Sequence, residues 1–242
     1  MQNLSAMKKQ WYLLLFLFIF TLSAQAQLYN KGTITLKNGK TVEGYVQIDY
    51  RFPQRFQNGI TYISPKAYAK FEKKGKVKGK DKQDLKPKEI QGFTLDNGSK
   101  YGSVKYTDLF SYSKTGIIPR RRVFEMVADG KIKLYKFYSP TTGKKVSRDV
   151  MDARLEGDGA LIEYIQNNFQ LLIQKEGKDK DPKNVMSINL LNYIGDNDEV
   201  KTNYDKNFYG LRDQFSTEKK DGKFVDKEYE TAFLRLLADY NK

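Results

Sequence analysis

The sequence predicts an α+β protein, in which an antiparallel, β-hairpin-rich sheet or partly open barrel is followed by a C-terminal helical segment of about three helices. Two observations support this class. Asn-Gly and Asp-Gly pairs separate alternating apolar and polar stretches in the first part of the chain. Past Lys175, the apolar residues recur at helical spacing. The predicted division is a signal peptide over 1–26, a β-rich domain over 27–178 and a helical region over 179–242 that packs on the sheet.

Three hairpins are predicted in the β-rich domain. The first turns at Asn38-Gly39 within GTITLKNGKTVEGYVQI, and the second turns at Asn97-Gly98 within GFTLDNGSKYGSVKY. Asn and Gly accept the positive φ angles that two-residue hairpin turns require. The T-L-x-N-G pattern around both turns fits shared turn chemistry or an internal repeat. The third hairpin turns at Asp129-Gly130, and apolar residues on both faces of its strands indicate a central position. Gly44 indicates a bulge or a close backbone contact.

The stretch ALIEYIQNNFQLLIQKEG fits two structures. Its residues Leu161, Ile165, Asn168 and Leu172 match one face of a helix. Alternatively, residues 160–165 and 169–174 form two strands around a turn that is rich in Asn, which tolerates positive φ. We expect the hairpin, because it continues the preceding meander.

Three helices are predicted from their N-terminal caps. Asp181-Pro182 places a capping residue before a proline at the first helical position. Asp196 and Glu199 have the spacing of a capping box, and Asp226 precedes the last helix. The apolar stripes of the second and third helices, which are typical of core-facing helices, comprise Val200, Tyr204, Phe208, Leu211 and Phe215, and then Tyr229, Phe233, Leu236, Leu237 and Tyr240.

The first residues predict export. Lys8 and Lys9 precede an apolar run from Trp11 to Leu22, and Ala24-Gln25-Ala26 fits the small-residue rule for cleavage. The run is shorter than the roughly twenty residues that cross a bilayer. The chain has no Cys that could carry a lipid. We therefore expect cleavage near Ala26-Gln27 and a periplasmic or secreted protein that is not a lipoprotein and has no membrane span in its mature chain.

Positive charge is concentrated in the segment KKGKVKGKDKQDLKPK. The chain has a formal net charge of +14. The segment from Lys70 to Lys88 contains nine lysines and only three acidic residues, Glu72, Asp81 and Asp84. Lysine mixed with Gly and Pro, and without Arg, predicts a mobile solvated loop over 66–89. We expect at most weak contact of this loop with anionic surfaces, and no nucleic-acid partner in an exported protein. The arginines at 120–122 enter a predicted strand and point to both of its faces, so we interpret them as structural.

The absence of two residue types restricts the chemistry. The chain has no His and no Cys, which excludes Ser-His-Asp triads, Cys-His pairs, imidazole zinc sites and thiol redox centres. Glycoside hydrolysis by two carboxylates remains open, with Glu125, Asp149, Asp152 and Glu163 as candidates. Residues 196–199 are acidic, but they lack the glycine and the distal glutamate of a calcium loop. We assign no catalytic, cofactor-binding or metal-binding residue.

The order of these segments resembles a group of exported proteins of Bacteroidota that has no assigned role. The resemblance rests on the signal end AQAQ, on GTITLKNGKTVEGYV and EIQGFTLDNGSKYGSV, and on VFEMVADGKIKLYKFYS and FLRLLADYNK. It implies an envelope location and carries over no functional residue.

The sequence therefore leads us to expect an exported, non-enzymatic envelope protein that acts as a binding or accessory module. Its 17 Tyr and 15 Phe residues would mainly fill a β core, and some would line an exposed binding face. The alternative is a carboxylate-dependent hydrolase that acts on glycans or cell-wall material.

Overall fold

The computed structural model of the protein describes residues 28–107, 119–143, 146–214 and 224–242. The predicted signal peptide and its cleavage site lie outside these residues. The strands are Tyr29–Leu36 (β1), Thr41–Gln47 (β2), Ile60–Ile63 (β3), Lys82–Leu85 (β4), Ile90–Leu95 (β5), Lys100–Tyr106 (β6), Arg120–Ala128 (β7), Ile132–Tyr138 (β8), Phe169–Lys175 (β9) and Lys183–Asn184 (β10).

Helices lie between these strands and after them. They are Pro53–Asn58 (α1), Pro65–Lys74 (α2), Arg148–Glu156 (α3), Asp158–Asn167 (α4), Leu191–Ile194 (α5), Asp198–Asp205 (α6), Leu211–Gln214 (α7) and Lys227–Tyr240 (α8). Short 3-10 turns occupy Gly79–Asp81, Pro87–Glu89 and Val185–Ser187. In the described parts of the chain, no helix combines the length and the apolar character needed to cross a membrane.

The ten strands form one open antiparallel sheet, in the order β10-β9-β8-β7-β6-β5-β1-β2-β3-β4. Strands β1 to β4 and β5 to β10 each run as a meander, and the antiparallel pair β1–β5 joins the two halves. The predicted α+β class is confirmed. Of the two predicted arrangements, the described strands form the open sheet, whose edges are β4 and β10.

The predicted hairpin turns are confirmed. Gly39 and Gly98 adopt φ angles of +84° and +88°, which a residue with a Cβ atom rarely accepts. The Asp129-Gly130 turn joins β7 to β8, which lie inside the sheet. The close backbone contact expected at Gly44 is also present, since a Cβ atom there would lie 3.0 Å from the Ile63 carbonyl oxygen.

The sheet buries apolar side chains on both faces, and we call the face with the larger core the inner face. Its core combines strand residues such as Ile34, Leu134 and Leu171 with residues from α1, α3, α4, α5, α6 and α8. On the outer face, α2 covers Tyr29 and Ile63. A second outer cluster comprises Tyr106, Phe124, Tyr135, Phe137 and Leu172.

The stretch 160–174 is half helix and half strand. The first predicted strand is wrong, because residues 158–167 form α4 and bury Leu161 and Ile165, four residues apart, on one helix face. The second predicted strand is confirmed as β9, which pairs with β8 along its whole length. Local spacing favours the helix up to Asn167, and sheet pairing determines the conformation after it.

Within the described residues, the C-terminal region contains four helices, α5 to α8, and the short strand β10, so the prediction of about three helices is confirmed only in part. The last predicted helix is confirmed as α8, where the Asp226 side chain accepts a 2.8 Å hydrogen bond from the Tyr229 N–H. The helix predicted to begin at Pro182 and to stop at Gly195 forms only in its last turn, as α5. Lys183 instead pairs with Ile173 of β9, and a 3-10 turn follows. Strand pairing and the Asn184 side-chain bond to the Met186 N–H outweigh the local helix signal.

The middle helix begins one residue later and ends earlier than predicted. Asn197, not Asp196, caps α6 by accepting from the Val200 N–H at 3.1 Å. The predicted stripe breaks after α6, because Asn207 adopts a φ of +57° and Phe208 turns outward with 71% exposure. Phe215, the last residue of that stripe, lies outside the described residues.

The lysine-rich segment contains regular structure where a mobile loop was predicted. Residues 65–74 form α2, and residues 82–85 form β4, which pairs with β3 from Ile60↔Leu85 to Ile63↔Lys82. The helix forms because Ser64 and Pro65 start it and Gly75 ends it. The strand forms because β3 offers it an unpaired edge.

Candidate functional site

The four carboxylates proposed from the sequence do not share one set of contacts. Glu125 lies on β7 and is half-buried on the inner face. Asp149, Asp152 and Glu163 are exposed on α3 and α4. Asp152 is paired with Arg148 one turn away, and Asp149 accepts a weak 3.5 Å bond from the Tyr164 hydroxyl. The structure therefore brings only Glu125 into the interior.

Glu125 is surrounded by phenols. Tyr101 of β6 stands opposite it in the strand register. The hydroxyl of Tyr138, on β8, donates a short hydrogen bond to Glu125 Oε2. Tyr50 donates to the same oxygen at 3.3 Å and lies 3.2 Å from the Tyr101 hydroxyl. We call these four residues the tyrosine–glutamate cluster.

The cluster is held by α1 and by the segment between β2 and α1. Arg51 binds Asp49 through its Nε at 2.9 Å and reaches Asp158 of α4 at 2.9 Å. The amide of Gln57, on α1, donates to the Tyr138 C=O at 2.9 Å and accepts from the Tyr138 N–H at 2.8 Å. These contacts fix the position of Tyr50 above the sheet.

Burial is the main influence on the phenols of this cluster. It raises the pKa of Tyr50, Tyr101 and Tyr138 above the ordinary tyrosine value, and the negative charge of Glu125 raises each further. All three therefore remain protonated donors at neutral pH.

A second polar pair lies beside the cluster, and sequence analysis did not single it out. Lys136 is opposite Glu125 in the β7–β8 register, but its ammonium binds Glu230 of α8 at 2.7 Å. Both side chains are nearly buried, at 13% and 7% exposure. The Lys136 ammonium also lies 4.5 Å from the centre of the Phe169 ring. On β8, the sequence signal is a charged residue between Tyr135 and Phe137, whereas the polar neighbours of Glu230 on α8 give no such signal.

The charged side chains of the tyrosine–glutamate cluster and of the Lys136–Glu230 pair all have partners within the protein, as in a structural polar core. Glu125 has two hydroxyl donors, and the Lys136 and Glu230 charges compensate each other. Buried polar groups in such networks specify packing. A glycoside hydrolase would need two carboxylates that face a substrate and a water molecule. In the described part of the chain, no group of three or more acidic residues could hold a metal ion.

A groove of about 300 Å³ lies at the β10 edge of the sheet. Tyr106 and Asn184 line it, and both donate to the buried Gln170 Oε1, at 3.0 and 3.1 Å. Lys178, Lys180 and Lys183 also line the groove.

Asp179 is built into the wall of this groove. Its carboxylate, which is fully buried, accepts from the Lys175 N–H at 3.0 Å, from Lys183 Nζ at 2.9 Å and from the Tyr193 hydroxyl at 3.1 Å. Burial alone would raise the pKa of Asp179, but these hydrogen bonds outweigh it and hold the pKa below the usual range. The Asp179 carboxylate therefore binds groups of the protein itself.

A densely charged surface is formed by residues 65–89, which we call the lysine lobe. It carries four acidic residues, Glu72, Asp81, Asp84 and Glu89, and ten lysines, so its net charge is +6. All ten lysines are exposed: Lys66, Lys70, Lys73, Lys74, Lys76, Lys78, Lys80, Lys82, Lys86 and Lys88. Within the described residues, none of the ten forms an ion pair.

The helix of this lobe is capped at both ends. The Ser64 side chain accepts from the Ala67 N–H at 3.3 Å, and Pro65 occupies the first turn. Gly75 adopts a φ of +65°, and its N–H donates to the Phe71 C=O at 2.7 Å. Lys73 and Lys74 lie in the last turn, where the helix dipole favours cations.

Aromatic packing fixes α2 against the sheet. Tyr68 stacks on Tyr45 of β2 with ring centres 3.6 Å apart, and Phe71 lies 5.5 Å from the Tyr29 ring. The lysines are therefore carried by an ordered surface. Ser64-Pro65 and Gly75 are sequence signals that could have identified this helix, and the density of lysines obscured them.

We compared the chain with protein-family models, with curated proteins and with solved structures. None of the three comparisons finds a match.

Proposed function

We propose that this protein is an exported, non-enzymatic binding module that attaches to anionic material of the cell envelope through the lysine lobe. The observation that carries the proposal is the set of ten exposed lysines without an ion-pair partner among the described residues. Uncompensated charge of one sign raises the local concentration of counter-charged partners.

The interior supports a binding role over a catalytic one. Glu125 is occupied by the hydroxyls of Tyr50 and Tyr138, and Asp179 is occupied by its three donors. The hydrolase alternative has no supporting pair of free, facing carboxylates among the contacts described above, so we do not propose it.

Retention of the purified protein on a carboxylate-bearing matrix and on a neutral matrix tests the proposal. We expect retention on the anionic matrix alone, and elution by salt, because exposed charges are screened within about 10 Å at 0.1 M and about 3 Å at 1 M. A lobe variant would replace Lys66, Lys76, Lys82 and Lys88 with Gln. A control variant, equal in charge, would replace the exposed Lys105, Lys131, Lys206 and Lys227.

The two variants separate the lobe from the overall charge of the protein. The proposal predicts that the lobe variant elutes at clearly lower salt and that the control elutes close to the natural protein. Equal shifts for both variants would show that net charge alone causes retention, and would overturn the proposal.

A further inference from the structure

Four lysines of the lobe form a stripe on α2. Lys66, Lys70, Lys73 and Lys74 are separated by four, three and one residues, which places them within an arc of about 100° on a helix of 3.6 residues per turn. The stripe is about 12 Å long at 1.5 Å per residue. Glu72, the acidic residue of this helix, falls outside that arc, so no negative charge interrupts the stripe.

The surroundings of the stripe restrict its partner. Its cations are all lysines, which act as point charges and do not form the bidentate forks of Arg. The exposed large apolar side chains among the described residues, Met151, Leu155 and Phe208, lie outside the lobe. Helices that lie on a bilayer bury an apolar face in it, whereas the apolar face of α2 is already buried against the sheet, through Ala67 and Phe71.

The neighbouring strand extends the same surface. On β4, Lys82 pairs with Ile63, and Ile63 belongs to the outer cluster that α2 covers. Paired residues point to the same face of a sheet. Lys82 therefore stands on the side of the sheet where α2 packs.

We propose that the α2 stripe binds a linear acidic polysaccharide whose chain of carboxylates lies along the helix axis. The inference rests on the proposed function of the lysine lobe and specifies the element and the partner. A line of point charges complements a line of opposite charges, and the successive turns of α2 bring lysines about 6 Å apart along the axis. The rigid, capped helix presents them without the entropy cost of ordering the backbone of a loop.

The test compares two lobe variants of equal charge with polygalacturonate as the probe. The stripe variant replaces Lys66, Lys70, Lys73 and Lys74 with Gln. The off-helix variant replaces Lys76, Lys78, Lys86 and Lys88 with Gln. Gln has nearly the helix propensity of Lys, so α2 should remain intact, and circular dichroism checks this. Dextran serves as the neutral polymer, and vesicles that contain phosphatidylglycerol serve as the anionic membrane.

We expect polygalacturonate to bind and dextran not to bind at low salt. The stripe variant should bind polygalacturonate about tenfold more weakly, which corresponds to about 1.4 kcal/mol, and the off-helix variant should lose clearly less. If both variants lose the same affinity for polygalacturonate, α2 has no special role. The lysine lobe as a whole would then remain the binding surface. Tighter binding to vesicles than to the polymer would overturn the polysaccharide as partner. Binding that neither variant weakens would contradict the proposed function as well.

Discussion

The side chain of Asn241 hydrogen-bonds both backbone groups of Ile132: it accepts from the N–H at 3.0 Å and donates to the C=O at 2.9 Å. The contact joins the end of α8 to the first residue of β8. Gly130 makes room for it, because a Cβ atom there would lie 2.5 Å from Asn241 Cγ. The last helix and the β7–β8 turn are thus fitted to each other.

Replacement of Asn241 by Ala should destabilise the protein by about 1–3 kcal/mol, because it leaves two backbone groups without their partner. Urea unfolding measures the change in the free energy of unfolding. The control is Lys242→Ala, which removes an ion pair between the exposed Lys242 and Asp239 and should change the free energy of unfolding much less. Similar values for the two variants would show that the Asn241 contact does not hold α8.

The Lys136–Glu230 pair should couple α8 to the sheet. Glu230→Ala should cost about 3–5 kcal/mol, because it leaves the Lys136 ammonium buried without a counter-charge. Lys136→Met combined with Glu230→Leu should be considerably more stable than Glu230→Ala, since neither charge then remains. Thermal and urea unfolding of the three proteins checks this. A double variant as unstable as the single one would contradict the account of an uncompensated charge.

Stability should fall at alkaline pH because of the tyrosine–glutamate cluster. The pKa of Tyr50 is raised by burial and then by Glu125, so the folded protein holds this proton where an unfolded chain, with a tyrosine pKa of about 10, releases it. The stabilisation is complete below about pH 10 and is lost as the pH rises further. Tyr50→Phe should make the decline above about pH 10 shallower. An unchanged slope would show that this phenol is accessible to solvent.

Stability should fall at acid pH partly because the Asp179 carboxylate becomes protonated. Its folded pKa lies below the usual value, so its contribution is present above an unfolded pKa of about 3.9 and is lost as the pH falls through the lower folded value. Asp179→Asn should therefore be less stable than the natural protein at neutral pH, and the difference should narrow below about pH 4. Urea unfolding across this pH range measures the difference in stability between the two proteins. A difference that does not change with pH would contradict the lowered pKa of Asp179.

The sequence predicted those parts of the fold that depend on local chemistry. The turns at Asn38-Gly39 and Asn97-Gly98 need positive φ, and the cap at Asp226 needs one side chain near three free N–H groups. Residues 181–184 were predicted wrongly because their local helix signal competes with pairing to β9, a contact that spacing along the chain does not reveal.

The sequence revealed the composition of the lysine lobe, but it predicted a mobile loop there and no site. The concentration of lysines at 73–88 is evident in the sequence, and so is the absence of His and Cys chemistry. The order of α2 was missed, because it depends on the stacking of Tyr68 on Tyr45 and on the contact of Phe71 with Tyr29. Both pairs join residues that are distant in sequence. Lys136 and Glu230 were missed for the same reason, since their pairing requires α8 to lie on the sheet.

The most direct test of the central claim is acetylation of lysine amines in the presence and absence of polygalacturonate, with each site quantified by mass spectrometry. The account predicts protection of Lys66, Lys70, Lys73 and Lys74, which disappears in high salt. Lys131, Lys206 and Lys227, which are exposed outside the lobe, should react equally in both conditions. Uniform protection of all lysines, or protection confined to lysines outside residues 65–89, would contradict the claim that the lysine lobe is the binding surface.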